Sequence, residues 1–279
     1  MIVSASRRTD IPALYSDWFF HRLAVGEALV SNPVNPSQVR RVSLLPEDVD
    51  GFVFWSRYPA PMLERLRLLG DIPFYFQVTL TPYGPDIEPG LPPEKHRIDT
   101  ILRLADRLGP QKVVWRYDPV FLSPSWTPER QTERFGKLVQ ALSGAVSQCT
   151  FSFLDRYRKI EGALLRLGIL PWTDEAMRGM AGRLSRIAGE AGLRLETCAE
   201  EMDLGDLNIG HARCVDASFF GGDARRKDPN QRPACGCSPS RDIGRYDTCI
   251  HGCAYCYANA GQAAAVRRHA AHDPASPSL

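Results

Sequence analysis

The sequence has few of the features that mark membrane-bound, secreted or nucleic-acid-binding proteins. No apolar run approaches the roughly 20 residues needed to span a bilayer, and residues 1–8 lack the basic-then-apolar order of a secretory signal. The 34 Lys and Arg are balanced by 32 Asp and Glu, so no excess charge points to nucleic acid or to an anionic membrane. These absences predict a soluble, cytoplasmic protein.

The chain is instead distinguished by its eight cysteines. In a reducing cytosol, metal binding or catalysis is a commoner use of cysteine than a disulfide framework. Cys149 begins an apolar segment and is predicted to be a core residue. Five others crowd the segment 235–256, so we expect the chemistry of the protein to be anchored there.

Short apolar segments typical of strands alternate with amphipathic helical segments, which predicts an α/β fold with parallel strands. We predict a (β/α) TIM-like barrel, complete or missing a strand, with a doubly wound open sheet as the alternative. The chain is predicted to be one domain over 1–279, with a barrel over 1–215, a cysteine-rich segment over 216–257 and a terminal helix and tail over 258–279. The predicted strands are 2–5, 51–55, 74–80, 112–117, 149–154, 193–198 and 211–215, and the predicted helices are 14–25, 61–69, 99–108, one capped by Thr127, 174–189 and 258–269.

Polar side chains follow the C-terminal end of almost every predicted strand, and in barrels that end carries the active site. Arg7, Arg8 and Asp10 follow the first strand, while Arg116 and Asp118 are spaced to point the same way from the fourth. We predict that these five residues are catalytic. A guanidinium can bind a carboxylate or phosphate through two parallel hydrogen bonds.

Two further pairs of residues are candidates for binding a cofactor. Glu196 and Glu200 could accept hydrogen bonds from ribose hydroxyls or amino groups, and Trp55 and Trp115 could stack on a base. Structural alternatives stay open, in which Arg116 pairs with Glu196 at the barrel mouth and the tryptophans belong to the core.

The decisive motif is Cys249-x3-Cys253-x2-Cys256, with Tyr255 directly before the last cysteine. Three thiolates in one tight loop can ligate three irons of a cubane cluster and leave the fourth iron open for another ligand. Gly252 permits the backbone turn that such a loop needs. A zinc site, which normally takes four protein ligands, is the alternative.

This spacing resembles the signature of the radical S-adenosylmethionine superfamily, and the run from His251 to Ala258 is similar to its spore photoproduct lyase-like branch. The resemblance implies a 4Fe–4S cluster on Cys249, Cys253 and Cys256, with Tyr255 packed by the cofactor. It further implies reductive cleavage of S-adenosylmethionine to a 5′-deoxyadenosyl radical, and a reductant such as flavodoxin or ferredoxin. His251 is expected to tune the cluster by hydrogen bonding to sulfur.

Longer stretches resemble a narrower group, the bacterial domain-of-unknown-function 1848 family, which brings no established substrate with it. The matching runs cover nearly the entire chain; they include 4–12, 32–33, 35–36, 53–55, 114–119, 195–200 and 227–232. In the superfamily the cysteine loop ordinarily follows the first barrel strand, but here only 257–279 follow Cys256. We therefore expect a permuted barrel in which the loop folds back over the C-terminal mouth and the last helix replaces the first barrel helix.

Cys198, Cys214, Cys235 and Cys237 match the number of ligands that a second, fully protein-ligated 4Fe–4S cluster needs. One alternative is a zinc site on the same four residues. The other is that Cys198 and Cys214 are simply buried apolar side chains.

Three classes of function follow from these patterns. The first is a radical S-adenosylmethionine enzyme acting on an unknown substrate of polar or anionic character. The second is a non-catalytic binding protein stabilised by zinc or an iron–sulfur cluster, with nucleic acid contact conceivable but not indicated by the charge. The third is a metal-dependent hydrolase, for which six histidines leave few ligands.

Overall fold

The computed structural model describes residues 1–279, and its centre is a sheet of eight parallel strands. Two other strands pair antiparallel in a separate hairpin. In chain order the strands are β1 (Ile2–Ala5), β2 (Glu27–Ser31), β3 (Val39–Ser43), β4 (Gly51–Ser56), β5 (Phe74–Thr79), β6 (Val113–Val120), β7 (Gln148–Phe153), β8 (Arg194–Thr197), β9 (Gly210–His211) and β10 (Arg241–Asp242).

The order across the main sheet is β10-β1-β4-β5-β6-β7-β8-β9. From β1 to β9 each strand pairs with the next strand of the sheet along the chain, as expected when helices connect parallel strands. The predicted α/β fold with parallel strands is confirmed. The sheet ends at β9 and β10, which do not pair with each other, so backbone hydrogen bonds do not close it into a complete barrel.

Helices connect most of these strands, and short 3-10 turns occur at 66–69, 110–112, 205–207 and 217–220. Thr127 caps α5 as predicted, because its hydroxyl accepts a hydrogen bond from the Arg130 amide at 3.3 Å. The cap of α7 is Thr173 rather than the first helical residue, Asp174. The helices are α1 (Ile11–Leu14), α2 (Ser16–Val25), α3 (Ala60–Leu63), α4 (Glu94–Leu108), α5 (Pro128–Ala141), α6 (Glu161–Arg166), α7 (Asp174–Glu190) and α8 (Gln262–Ala270).

Alternate residues of each strand pack on opposite faces of the sheet. On the face that meets the helices, Phe54 lies in the largest apolar cluster, and Cys149 belongs to the same cluster, as predicted. On the other face, Val53 and Tyr75 pack with Cys214 and Cys237 in a second, smaller cluster. Burial on both faces explains why the strands read as nearly continuous apolar segments.

Two features of the sheet were not predicted from the sequence. The β2–β3 hairpin has little apolar alternation, and most of β3 is exposed. β10 contains only two residues, yet it lies in the segment predicted to be separate from the barrel and pairs with β1. The chain therefore runs from β10 through the cysteine loop to α8.

The segment around α8 packs against the first helices of the chain. The Tyr15 ring lies edge-on to the rings of His269 and His272, at centroid distances of 5.1 and 5.0 Å. The Trp18 indole donates a hydrogen bond to the Ser276 carbonyl at 3.0 Å. None of the helices combines the length and the apolar character that crossing a bilayer requires.

The Phe54 ring packs against four other aromatic rings. Its ring is 4.9 Å from that of Phe76 and 5.2 Å from that of Phe19, centroid to centroid. We predict that Phe54→Ala lowers the free energy of unfolding by about 3–5 kcal/mol, because it leaves a cavity in a packed core. Urea unfolding measures this change. Leu165→Ala, at a side chain 67% exposed, is the control and should change stability little, and equal effects of the two substitutions would contradict this packing.

The histidines beside Tyr15 predict a pH dependence of stability. Burial lowers the pKa of both His269 and His272 below 6.5, with added repulsion from His251 on the first and from His269 on the second. The folded state therefore binds protons at these histidines less tightly than the unfolded state does. Their contribution to the free energy of unfolding is intact above about pH 6.5 and is lost as the pH falls below it. The double variant His269→Gln/His272→Gln should lose less stability between about pH 7 and pH 5 than the wild type, as measured by urea midpoints. Parallel pH curves would show that these histidines do not contribute.

Candidate functional site

A cavity of about 570 Å³ lies at the C-terminal ends of the strands, where the cysteine loop folds over the sheet. Every cysteine except Cys149 lines it. The predicted location of the loop, over the mouth formed by the strand ends, agrees with this arrangement. Of the other predicted site residues, the cavity is lined by Arg7, Arg8, Asp10, Trp55, Arg116, Asp118 and Tyr255.

Asp10 connects the cysteine loop to the ends of two strands. One of its carboxylate oxygens accepts hydrogen bonds from the Arg57 amide at 2.7 Å and from the His251 ring at 2.9 Å, and the other accepts one from the Ala13 amide at 3.0 Å. Burial alone would raise the pKa of Asp10, but the hydrogen bonds from His251 and Arg57 lower it below its usual value. Asp10 is therefore a buried carboxylate that holds the loop in place.

The loop between β5 and α4 forms the other support of the cysteine loop. The Gly90 amide donates to the His251 carbonyl at 2.8 Å, and the Ala254 amide donates to the Ile87 carbonyl at 2.9 Å. A Cβ atom at Gly90 would lie 2.6 Å from the His251 carbonyl oxygen, so only glycine permits this approach. Gly252 has a φ of +70°, the left-handed conformation expected for the turn.

Glu88, in the same supporting loop, is almost completely buried, with 2% of its surface exposed. One oxygen accepts hydrogen bonds from Arg57 and Thr81, each at 2.6 Å, and from the hydroxyl of Tyr255. The other accepts one from Arg97 at 3.3 Å. Glu88 thus fixes Tyr255, the aromatic residue of the motif, through its hydroxyl.

The sulfur atoms of the loop face backbone amides. The Ala258 amide lies 3.3 Å from the Cys256 sulfur. The backbone amides of His251 and Asp10 favour the thiolate form of Cys249, but burial outweighs them. Burial raises the pKa of Cys249 to about 12 and also raises that of Cys253. These thiols would lose their protons on binding a metal, as thiolate ligation requires.

The other four cysteines of the cavity lie together. The sulfurs of Cys198 and Cys214 are 3.4 Å apart. Cys237 lies close to both Cys214 and Cys235, since each of these thiols affects the pKa of the Cys237 thiol. We call Cys198, Cys214, Cys235 and Cys237 the four-thiol group.

Arg116 links the four-thiol group to the polar strand ends. It forms an ion pair with Asp118, and its guanidinium lies 2.9 Å from the Cys214 sulfur. Although burial alone would lower the pKa of Arg116, Cys214, Cys198 and Asp118 raise it, so the side chain stays charged. The Trp55 ring lies close to two cations, 5.3 Å from the Arg116 guanidinium and 5.5 Å from that of Arg7.

Several residues singled out in the sequence lie elsewhere or make other contacts. Glu196 hydrogen-bonds to Gln148, and Glu200 accepts from the Phe153 amide at 2.9 Å; neither lines the cavity. Trp115 is fully buried in the core and is stacked on Phe135, which agrees with the structural alternative.

One structural alternative and one expected contact differ from the structure in detail. Arg116 pairs with a carboxylate, as the alternative held, but its partner is Asp118 and not Glu196, because Arg116 and Asp118 lie on the same face of β6. The ring nitrogens of His251 lie 2.9 Å from Asp10 and 3.4 Å from the Gly90 carbonyl, so the ring does not form the expected hydrogen bond to sulfur.

Arg57 and Glu88 are the main site residues that the sequence did not reveal. Arg57 follows β4 and was part of a polar strand end, but nothing distinguished it from exposed arginines. Glu88 lies in a loop rich in proline and glycine beside a second acidic residue, Asp86, which is exposed. No local pattern separates the buried carboxylate from the exposed one.

No group of three or more His, Cys, Asp or Glu side chains is arranged to hold a single metal ion. Each protein ligand of a cubane cluster binds a different iron. A cluster therefore does not need side chains that converge on one point, as a single metal ion does.

The fold and the cavity define an α/β protein with a parallel sheet and a cysteine-lined pocket at its strand ends. The family described as "Domain of unknown function (DUF1848)" matches residues 2–258, and the chain belongs to this family. No curated protein and no solved structure matched the chain.

The close approach at Gly90 yields a testable prediction. Gly90→Ala should displace the cysteine loop and cost about 1–3 kcal/mol of stability, because the new methyl group collides with the backbone of His251. In the metal-free protein, the displaced thiols should react faster with iodoacetamide, as mass spectrometry of the labelled peptide would show.

Gly189→Ala is the matched control. Gly189 lies near the end of α7, and a Cβ there meets nothing within 4 Å. The substitution should stabilise the helix by about 0.5–1 kcal/mol and leave labelling of the loop unchanged. Unchanged labelling in Gly90→Ala would show that this contact does not position the loop.

Proposed function

We propose that the protein is a radical S-adenosylmethionine enzyme. The observation that carries the proposal is that Cys249, Cys253 and Cys256 line the same cavity as the polar ends of the strands. A reactive group bound by these thiols would therefore face the end of the sheet where parallel α/β proteins bind substrates.

The residues of the loop fit a cluster with three protein ligands. His251 is the other metal-binding side chain between Cys249 and Cys256, and its ring is engaged by Asp10 and Gly90. It is therefore not free to complete a four-ligand site. The Ala258 amide directed at the Cys256 sulfur also suits a thiolate ligand, whose charge such a hydrogen bond stabilises.

When bound, such a cluster supplies one electron to S-adenosylmethionine, whose cleavage yields methionine and a 5′-deoxyadenosyl radical. Arg8 is the cation we assign to a bound carboxylate, because its guanidinium makes one hydrogen bond, at 3.4 Å to the Gly244 carbonyl, and its ion pair with Asp242 is long, at 4.0 Å. Arg57 and Arg116 are engaged by Glu88 and Asp118. Trp55, held by a hydrogen bond from its indole to Ser4 at 3.1 Å, offers a flat surface for a base.

The course of the chain supports a permuted, incomplete barrel. β10 pairs with β1 and leads directly into the cysteine loop, and α8 follows the loop. This strand–loop–helix unit therefore stands at the edge of the sheet, where the resemblance to the superfamily places its first unit. The pairing of β10 is the observation that favours permutation over an unrelated cysteine-rich tail.

The charges of the cavity favour an anionic substrate. Five arginines line it against three aspartates, so its formal charge is positive. The lining arginines are Arg7, Arg8, Arg57, Arg116 and Arg232, and the aspartates are Asp10, Asp118 and Asp155. A one-electron donor such as flavodoxin or ferredoxin would be the protein partner.

Formation of 5′-deoxyadenosine tests the proposal. Protein purified without oxygen, reconstituted with iron and sulfide and then reduced should convert S-adenosylmethionine to 5′-deoxyadenosine and methionine. Cys253→Ala should reduce this product to background, because the open iron requires all three thiolates. Cys149→Ala, in the apolar core, is the control and should retain product formation.

Two results would contradict the proposal. One is 5′-deoxyadenosine formation that persists in Cys253→Ala. The other is wild-type protein that takes up zinc in place of iron and forms no product, which would favour a non-catalytic, metal-stabilised binding protein.

A further inference from the structure

The four-thiol group is assembled from parts of the chain that are distant in sequence. Cys198 follows β8, Cys214 follows β9, and Cys235 and Cys237 lie before β10. The sulfurs of Cys198 and Cys214 are 3.4 Å apart. Cys237 lies close to both Cys214 and Cys235. None of the four is needed by the loop that carries the proposed function.

Cys214, Cys235 and Cys237 pack in the smaller apolar cluster, but polar donors also reach the sulfurs of the four-thiol group. A free cysteine in a core behaves as a small apolar residue, as Cys149 does within the main apolar cluster. In the four-thiol group, the Val215 amide lies 3.4 Å from the Cys237 sulfur, and Arg116 lies 2.9 Å from the Cys214 sulfur. A buried guanidinium and a backbone donor directed at sulfur are partners that stabilise thiolates.

The contacts among the sulfurs also bear on what the group binds. The four sulfurs are not arranged around one point as a single metal ion requires. Cys198, Cys214 and Cys237 all lie close enough to Cys235 to affect the pKa of its thiol. A single tetrahedral ion needs four converging sulfurs, whereas a cubane takes one thiolate on each of four irons. Entry of a cube would separate the Cys198 and Cys214 sulfurs, and the adjoining cavity of about 570 Å³ provides space.

We propose that Cys198, Cys214, Cys235 and Cys237 bind a second 4Fe–4S cluster, which shares the cavity with the Cys249–Cys256 loop. Because all four irons have a protein ligand, this cluster has no vacant position for S-adenosylmethionine. Arg116, beside Cys214, and Arg7, near Cys237, offset part of its negative charge. The Trp55 ring lies 5.3 and 5.5 Å from these two guanidinium groups.

Iron content after anaerobic reconstitution tests the inference in two complementary variants. The wild type should bind about eight irons per chain, that is, four for each cubane. The triple variant Cys249→Ala/Cys253→Ala/Cys256→Ala should keep about four irons and four sulfides, with a reduced-cluster signal in electron paramagnetic resonance. The double variant Cys198→Ala/Cys235→Ala should also keep about four irons, held by the loop, while Cys149→Ala keeps all of them.

The outcomes separate this inference from the proposed function. If the wild type binds about four irons and the triple variant none, the second cluster does not exist and the proposed function stands. If the triple variant keeps four irons but the wild type forms no 5′-deoxyadenosine, the inference holds and the proposed function fails. One zinc per chain bound by the triple variant, and lost on adding Cys198→Ala, would also overturn the second cluster. If the triple variant does not fold, the double variant still tests the inference. A double variant that binds as much iron as the wild type would contradict the second cluster.

Discussion

Two buried carboxylates hold the cysteine loop against the ends of the strands, and the shape of the cavity depends on them. Asp10 bonds to His251 within the loop, and Glu88 bonds to Tyr255. A buried carboxylate is stable only when its oxygens have partners, so each carboxylate and its donors must fold together. Because Arg57 contacts both carboxylates, through its amide and through its guanidinium, the two supports form one network.

The two faces of the sheet carry different kinds of side chain. On the face that meets the helices, aromatic rings such as Phe54 and Phe76 pack in the large apolar cluster. The opposite face begins with apolar residues such as Val53 and ends in arginine, aspartate and thiol groups. Alternation of side chains along a strand lets one short segment contribute to both. Trp55 and Trp115 illustrate the difference, since one lines the cavity and the other is buried beneath α5.

The strands and the composition of the site could be predicted from the sequence because they depend on local patterns. Apolar segments predicted the bounds of β1 and β4 to β8 to within about three residues. The spacing of Cys249, Cys253 and Cys256 identified the loop. Contacts between distant segments could not be predicted. Glu88 looks like any loop carboxylate, and β10 is too short to have a pattern. Glu196 occupies a polar strand end, but its side chain is bound by Gln148 and not by the cavity.

The place of β10 in the sheet has a consequence for how the protein is made. Synthesis proceeds from the N-terminus, so β1 emerges from the ribosome before β10, which follows it by about 240 residues along the chain. Until then one border of the nascent sheet has unpaired amide and carbonyl groups, which are a template for association with other chains. The same late segment delivers the cysteine loop. The strand ends that this loop covers are therefore exposed until the late segment has been made.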